Sequence, residues 1–467
     1  MRKLTIVNQT SDIIVWDSEN KGRSESRILL PSLSTSTSIS ASRSDITLSS
    51  LSNRGEAEKD WTASPNAYTI RLSMSLGAMW KVVDVPEECP WRVYRCKVCR
   101  DASTSHILAD LSKTSRKHHL LLILPRRDLA SFLSDFPDSL PLSSLLLPGT
   151  HDTMAFYGWP ISQCQSLSTP LAGQLQSGIR VIDIRLAVIN KRLIAYHGIY
   201  PQREPFQNIL STLFEFLSTP KTCRETIVMS IKQEDFATTP STTFSQLVHD
   251  EIMNGPGGRD MWFLDNRVPT LGEARGKVVM FSRFGGDGAG WDRGLEGMGL
   301  HPTAWPDSAK KGFTWQCKNT LVRTQDWYNI PSFLSIPEKT ELATQVLVPP
   351  KDDPGFPTLS ISFFSAASVP LAFPPTIARG FGWPKLGFGV EGVNGRLGTW
   401  LIDMLSSGSA GHQSNLRASQ AGEKGSKVRI RGWALLDFYR DPEDNAVVPL
   451  LIECNYRGRR SGEEGWP

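Results

Sequence analysis

From about residue 144 onward the sequence repeats one arrangement: a short apolar run, an ionisable residue near its end, then an amphipathic helical stretch. The runs fall at residues 145–147, 181–184, 227–231 and 278–281, with later candidates at 359–364 and 433–436. They lack the period-two alternation of a half-exposed strand and suit strands buried on both faces. Between them, residues 205–220 place Phe206, Ile209, Leu210, Leu213, Phe214 and Leu217 on one helical face, with Pro205 at the start and Pro220 as the stop. Buried strands that alternate with amphipathic helices imply an α/β fold with a parallel sheet and helical crossovers. The segment around Asp326 carries little strand signal.

The chain before this region reads differently. Residues 4–7, 68–74 and 91–94 alternate with period two and are separated by turn-forming residues, and a Ser/Thr tract fills 32–52. This predicts an all-β, sandwich-like domain over residues 1–125, followed by a connector at 126–143 that Pro137 and Pro141 punctuate. The length of 467 residues allows about three domains on size alone, but the motifs set out below fall in one region, 144–467, which reduces the count to two. Its polar, Gly/Ser-rich stretch at 406–427 reads as a mobile loop.

Composition excludes several classes. The net charge of +4 is too slight for a nucleic-acid binder; it resides in residues 1–125, where 17 Lys and Arg face 13 Asp and Glu. No run approaches the roughly 20 apolar residues of a membrane span, and the N-terminus has charges but no apolar core of a secretory signal. Seven cysteines, an odd number without framework spacing, favour reduced thiols. The expectation is a cytoplasmic protein, peripheral at membranes where it contacts them; nothing in the sequence sets its oligomeric state.

In a parallel barrel the C-terminal strand ends ring one mouth, and the active site lies there. Here those ends carry His151 and Asp152, Asp183 and Arg185, Lys232, Arg283 and Asp437, with His197 close behind the second strand. Any single member could be a helix cap or a surface charge. A set of two histidines, three cations and several carboxylates suits a phosphate diester: cations for the phosphate or a polyol, and two histidines as base and acid.

The ordered motifs Leu147-Pro148-Gly149-Thr150-His151-Asp152-Thr153, Asp183-Ile184-Arg185, Tyr196-His197-Gly198, Met229-Ser230-Ile231-Lys232-Gln233-Glu234 and Pro269-Thr270-Leu271-Gly272-Glu273-Ala274-Arg275-Gly276-Lys277 resemble the phosphatidylinositol-specific phospholipase C X-domain family, in its single-domain bacterial form. Gln325-Asp326-Trp327-Tyr328 and Leu436-Asp437-Phe438 extend the likeness over roughly residues 130–455. The resemblance implies a distorted TIM barrel that cleaves phosphatidylinositol to diacylglycerol and inositol 1,2-cyclic phosphate. It implies His151 as general base oriented by Asp437, His197 as general acid supported by Asp152, and Arg185 as phosphate clamp. Lys232, Arg283 and Asp326 would contact inositol hydroxyls, Tyr328 would stack on the sugar, and Asp183 would fix Arg185. Asp152 stands after the first histidine, where the calcium-dependent branch has Asn. A divalent cation beside Arg185 would be repelled, so no metal or other cofactor is expected, calcium in particular. Two alternatives stay open: a non-catalytic phosphoinositide-binding barrel, or a phosphodiesterase for another glycerophosphodiester.

Weaker signals remain. The aromatic, Gly/Pro-rich segments around Trp159 and Trp383 could dip into a lipid interface, the simpler reading being loop packing. Cys96-Lys97-Val98-Cys99 hints at zinc, but positions three apart on a strand face opposite ways and no second pair follows. The Gly-rich stretch at 285–290 lacks a phosphate-binding Lys and reads as a loop. The β domain is a candidate membrane- or partner-docking module, or simply a cover for the barrel.

Overall fold

The computed structural model describes residues 3–18, 26–30, 34–39, 46–51, 63–70, 80–83, 85–97, 118–350, 356–383, 388–406, 429–442 and 446–457. Two compact units are drawn, one from Met1–Arg127, Gly398–Lys427 and Asp444–Ala446, the other from Asp128–Leu397, Val428–Glu443 and Val447–Pro467. The second unit thus begins two residues into the segment read as a connector. The loop expected at 406–427 lies outside the described residues but for Ser406, as do Cys99, one half of the Cys pair, and residues 71–74 of an expected strand.

The first unit holds β1 (Lys3–Asn8), β2 (Ile14–Ser18), β3 (Ser26–Leu30), β4 (Ser34–Ile39), β5 (Ile46–Leu51), β6 (Ala63–Ile70), β7 (Trp80–Val82), β8 (Trp91–Lys97) and β9 (His118–Pro125). They form a five-stranded sheet in the order β4-β1-β9-β8-β7 and a four-stranded sheet in the order β3-β2-β5-β6. In the first sheet, Ile6, Val7, Val93, Tyr94 and Leu121 are buried, and the Trp91 indole donates to Asp12 Oδ2 at 2.9 Å.

The second unit is a curled sheet with helices, an α/β half-barrel. Its strands are β10 (Leu146–Thr150), β11 (Val181–Ile189), β12 (Arg192–His197), β13 (Tyr200–Pro205), β14 (Ile227–Gln233), β15 (Trp262–Phe263), β16 (Val278–Arg283), β17 (Phe313–Cys317), β18 (Thr320–Gln325), β19 (Thr358–Phe363) and, after the short hairpin of β20 (Gly380–Trp383) and β21 (Phe388–Glu391), β22 (Gly432–Leu436). The order is β15-β16-β14-β11-β10-β22-β19-β18-β17, all parallel except β17, with β12 and β13 as an antiparallel extension of β11. Among the described residues no ladder joins β15 to β17, so the barrel stays open. The described helices are α1 (Leu171–Gln176), α2 (Phe206–Ser218), α3 (Ser241–Asn254), α4 (Leu271–Ala274), α5 (Ile336–Leu347), α6 (Pro374–Arg379), α7 (Val393–Ser406), whose residues from Gly398 on are assigned to the first unit, and α8 (Val447–Cys454). None described is long and apolar enough to cross a membrane.

Every residue of β10, β19 and β22 is buried, as a strand covered on both faces requires. α2 follows the expected pattern with one exception: Phe214 is exposed, and Phe216 takes its place in the core. The helix is turned toward the 206-209-210-213-217 stripe, which leaves position 214 at its edge. Around Asp326, where the sequence carries little strand signal, residues 320–325 form a strand nonetheless, because β17 and β19 pair with it on both sides. Gly149 sets the closeness of β10 and β11: a Cβ there would lie 2.8 Å from the Val181 Cβ and carbonyl oxygen. At the other end of the barrel, the wholly buried Arg180 bonds Glu225 at 2.8 Å and donates to the Ala130 carbonyl at 2.6 Å, tying residues that precede the barrel to the starts of β11 and β14.

Candidate active site

Side chains two apart on a strand share a face, and neighbouring parallel strands bring equivalent positions together. Asp183 and Arg185 are such a pair on β11. The register then sets Arg185 beside Lys232 of β14, and Lys232 beside Arg283 of β16. Three like charges in a row are unfavourable unless anions divide them. Asp183, fully buried, meets Arg185 Nε at 3.2 Å through Oδ2 and Arg283 Nη1 at 3.5 Å through Oδ1; it also accepts from Ser230 Oγ at 2.9 Å and the Asp152 amide at 3.2 Å. Burial opposes its ionisation, but Arg185 and Arg283 outweigh it and hold the carboxyl below its usual range. Glu234 takes Lys232 Nζ at 2.8 Å and lies 3.6 Å from Arg185 Nη1.

The two histidines stand on either side of Arg185. His151 Nδ1 is 2.8 Å from Asp437 Oδ1, and its Nε2 is 2.6 Å from Arg185 Nη2. A guanidinium only donates, so Nε2 accepts and the proton sits on Nδ1, shared toward Asp437. Burial first, then Arg185, pushes the His151 imidazole well below its usual value; burial, with Asp152 nearby, pushes the Asp437 carboxyl up. Both shifts favour this neutral-imidazole arrangement over an imidazolium. His197, at the end of β12, has Nδ1 2.5 Å from Asp152 Oδ2, and its ring is partly open to solvent. Asp152 also lies 3.5 Å from Arg185 Nε, which couples the two histidine pairs through one guanidinium.

The backbone that presents these groups is unusual. Asp152 and Phe438, each immediately after a member of the His151–Asp437 pair, have φ of 40° and 44°. For a bulky residue such as Phe that is a sparsely populated conformation, worth of order 1–3 kcal/mol of strain. It is held by buried amides: Gln165 Nε2 donates to the carbonyls of His151 and Leu436, and Asn394 Nδ2 to those of Asp437 and Phe438.

The expected residues converge. His151, Arg185, His197, Lys232, Arg283, Asp326, Tyr328 and Asp437 line one cavity of about 750 Å³, with Asp152 and Asp183 buried behind it. Arg283 stacks on Trp305 at 4.0 Å from the ring centroid, and the Trp305 indole donates to Asp326 Oδ2 at 2.9 Å. The Tyr328 ring is 41% exposed, its hydroxyl donating to Asp307, which with burial pushes the phenol up to about 12. Sequence reasoning gave no role to Glu234, Cys164 or Trp305. Glu234 was within reach as the residue two beyond Lys232. Cys164 Sγ, 3.7 Å from His197 Nδ1, and Trp305 come from loops whose sequence carries no such signal. Trp159 is 63% exposed; the Trp383 side chain lies outside the described residues. Cys164 could join His151 and Asp437, or Asp152 and His197, around a metal ion, but Arg185 adjoins both sets.

No family model matches the chain. It is 33% identical over 165 residues to the 1-phosphatidylinositol phosphodiesterase of Listeria monocytogenes, covering 32% of this chain and 48% of that protein. It is 27% identical over 256 residues to the enzyme of the same name from Staphylococcus aureus strain Newman, covering 53% of this chain and 78% of that one. The chain thus spans about half the length of the first of these relatives and more than two thirds of the second. A solved structure of the S. aureus phosphatidylinositol-specific phospholipase C superposes with a TM-score of 0.51 at 21% identity, over 70% of this chain and 98% of that one, and shares the fold.

The charge cluster has a pH signature. A carboxyl depressed by folding stabilises above its unfolded pKa, about 3.9 for Asp, and that contribution is lost as pH falls toward the folded value. Replacing Asp183 with Asn is therefore expected to lower the unfolding free energy most above about pH 4, the gap to wild type narrowing below that. Urea unfolding at pH 6 and at pH 3.5 measures it, and a gap independent of pH would contradict the assignment.

Proposed function

We propose that the chain is a phosphatidylinositol-specific phospholipase C, like the relatives it resembles, and that it cleaves phosphatidylinositol by intramolecular phosphoryl transfer. The observation that carries this reading is the pair of histidines flanking one arginine, each with its own buried carboxylate. His151 Nε2 takes the proton of the inositol 2-hydroxyl as its oxygen attacks phosphorus. His197 gives a proton to the diacylglycerol oxygen as the P–O bond breaks. The products are inositol 1,2-cyclic phosphate and diacylglycerol; His151 ends with the hydroxyl proton and His197 without its own, and exchange with solvent restores both before the next turnover. Arg185 holds the non-bridging phosphate oxygens, where charge builds in the transition state.

Arg185 has a second effect. Without substrate it caps the His151 lone pair and lowers its basicity. A bound phosphate neutralises the guanidinium and draws it away, so the substrate itself releases and strengthens the base. Lys232, Arg283 and Asp326 face the inositol hydroxyls, and Tyr328 the sugar face. The distorted TIM barrel and the sandwich-like packing of the N-terminal strands belong to the same reading.

The reaction is read as independent of calcium, because Arg185 already supplies the positive charge at the phosphate and a divalent ion would be repelled by it. The protein is read as cytoplasmic and peripheral, meeting the membrane through exposed apolar side chains such as Trp159. Alanine at Trp159 should weaken vesicle pelleting yet spare hydrolysis of a soluble inositol phosphodiester; equal losses would argue for a packing role. Phosphorus NMR of phosphatidylinositol digests in EDTA should reveal the cyclic phosphate, reduced about 1,000-fold or more in His151→Ala. Absence of the cyclic signal, restoration only by calcium, or an active variant would reject the proposal.

A further inference from the structure

Lys339 is fully buried on the α5 face that packs against β18 and β19, and its Nζ has no hydrogen-bond partner among the described residues. The helix end is placed by the Arg431 amide, which donates to the Leu347 carbonyl at 3.1 Å beside the start of β22. α5 therefore begins at the mouth and runs away from it. Ser362 Oγ bonds the Ala343 carbonyl at 2.7 Å, fixing the register with β19. One helical turn nearer the mouth, about 5–6 Å, Lys339 stands level with residues about two beyond Ser362. That is the level of Phe364, whose amide donates to the Leu435 carbonyl, two residues before Asp437.

A cation is badly placed there. Burial removes water, and the first turn of a helix repels positive charge. The anions that act on Lys339 are Asp326, after β18, and Asp437, after β22. β19 offers no charged side chain, and Arg323 of β18 is directed to the Val348 carbonyl at the far end. Asp437, for its part, has Oδ2 buried without a hydrogen bond among the described residues, while Oδ1 takes His151; the other charges that act on it are Asp152, Arg185 and Asp183.

We propose that Lys339 is a positioning residue: its buried ammonium is the counter-charge that keeps the Asp437 carboxyl ionised beneath His151, and so keeps the His151 Nε2 lone pair available as a base. The inference rests on the reading of His151 and Asp437 as the basic pair. Lys339 touches no substrate; it lies outside the cavity lining and acts through Asp437.

The test is the pH dependence of the pair, read two ways in wild type, Lys339→Met and Lys339→Arg. In kcat against pH the methionine variant should move the acidic limb up by about one unit, with KM changed less than about twofold, and arginine should restore it. Nitrogen-15 NMR of the His151 ring should give the same upward shift without any turnover. This keeps the two claims apart: if wild type makes no cyclic phosphate the proposed function fails, yet the NMR titration still decides the role of Lys339. A methionine variant that titrates as wild type does, or loses only thermal stability, overturns the inference. Should the methionine variant not fold, Lys339→Gln serves in its place. Wild type gives a third reading, a step in the His151 signals near pH 8 as the Lys339 ammonium, lowered by burial to about 8, loses its proton. A flat trace there also overturns it.

Discussion

Three cations stand in register on three neighbouring parallel strands, and this arrangement constrains everything near the mouth of the barrel. Arg185, Lys232 and Arg283 would repel one another if left alone. Asp183 and Glu234 divide them, and Asp152 and Asp437 extend the pattern outward to the two histidines. Such a cluster is satisfied only when each partner is held where the others require it. The strands provide the hold: Asp183 cannot serve two arginines and two donors unless β11, β14 and β16 keep their register. Gly149 brings β10 close enough for the Asp152 amide to join them.

The same constraint explains why the backbone is distorted where it is. His151 and Asp437 must turn out of adjacent strands, β10 and β22, to meet within hydrogen-bonding range. The turn falls on the next residue in each case, and buried amides of Gln165 and Asn394 anchor the carbonyls around it. On the proposed function this rigidity has a chemical use, since a base and an acid on opposite sides of one phosphate need fixed positions more than strong contacts.

Much of this was legible in the sequence because buried parallel strands leave a direct trace. The apolar runs that became β10, β11, β14, β16, β19 and β22 could be read from length and composition, and the ionisable residues at their ends named most of the site. The antiparallel additions were less visible. β12 with β13, and β17 with β18, draw their strand character from pairing partners, and residues 320–325 look weak until β19 is placed beside them. Phe214 and Phe216 show the limit of helical periodicity, since a 13-residue helix can rotate slightly and exchange the residues at the edge of its stripe. Trp305 and Lys339 were beyond reach for a different reason: one arrives on a loop and the other on the buried face of α5, where a lysine is unexpected from any pattern.

On the proposed function the charge cluster serves one event, the attack of a neighbouring hydroxyl on a phosphate held by Arg185. A phosphatidylinositol analogue lacking only the inositol 2-hydroxyl isolates that event, because it keeps the phosphate, the leaving group and the other ring contacts. The analogue is expected to compete with phosphatidylinositol for the site and to release no diacylglycerol. Release of diacylglycerol from the analogue at a rate comparable to that from phosphatidylinositol would contradict it.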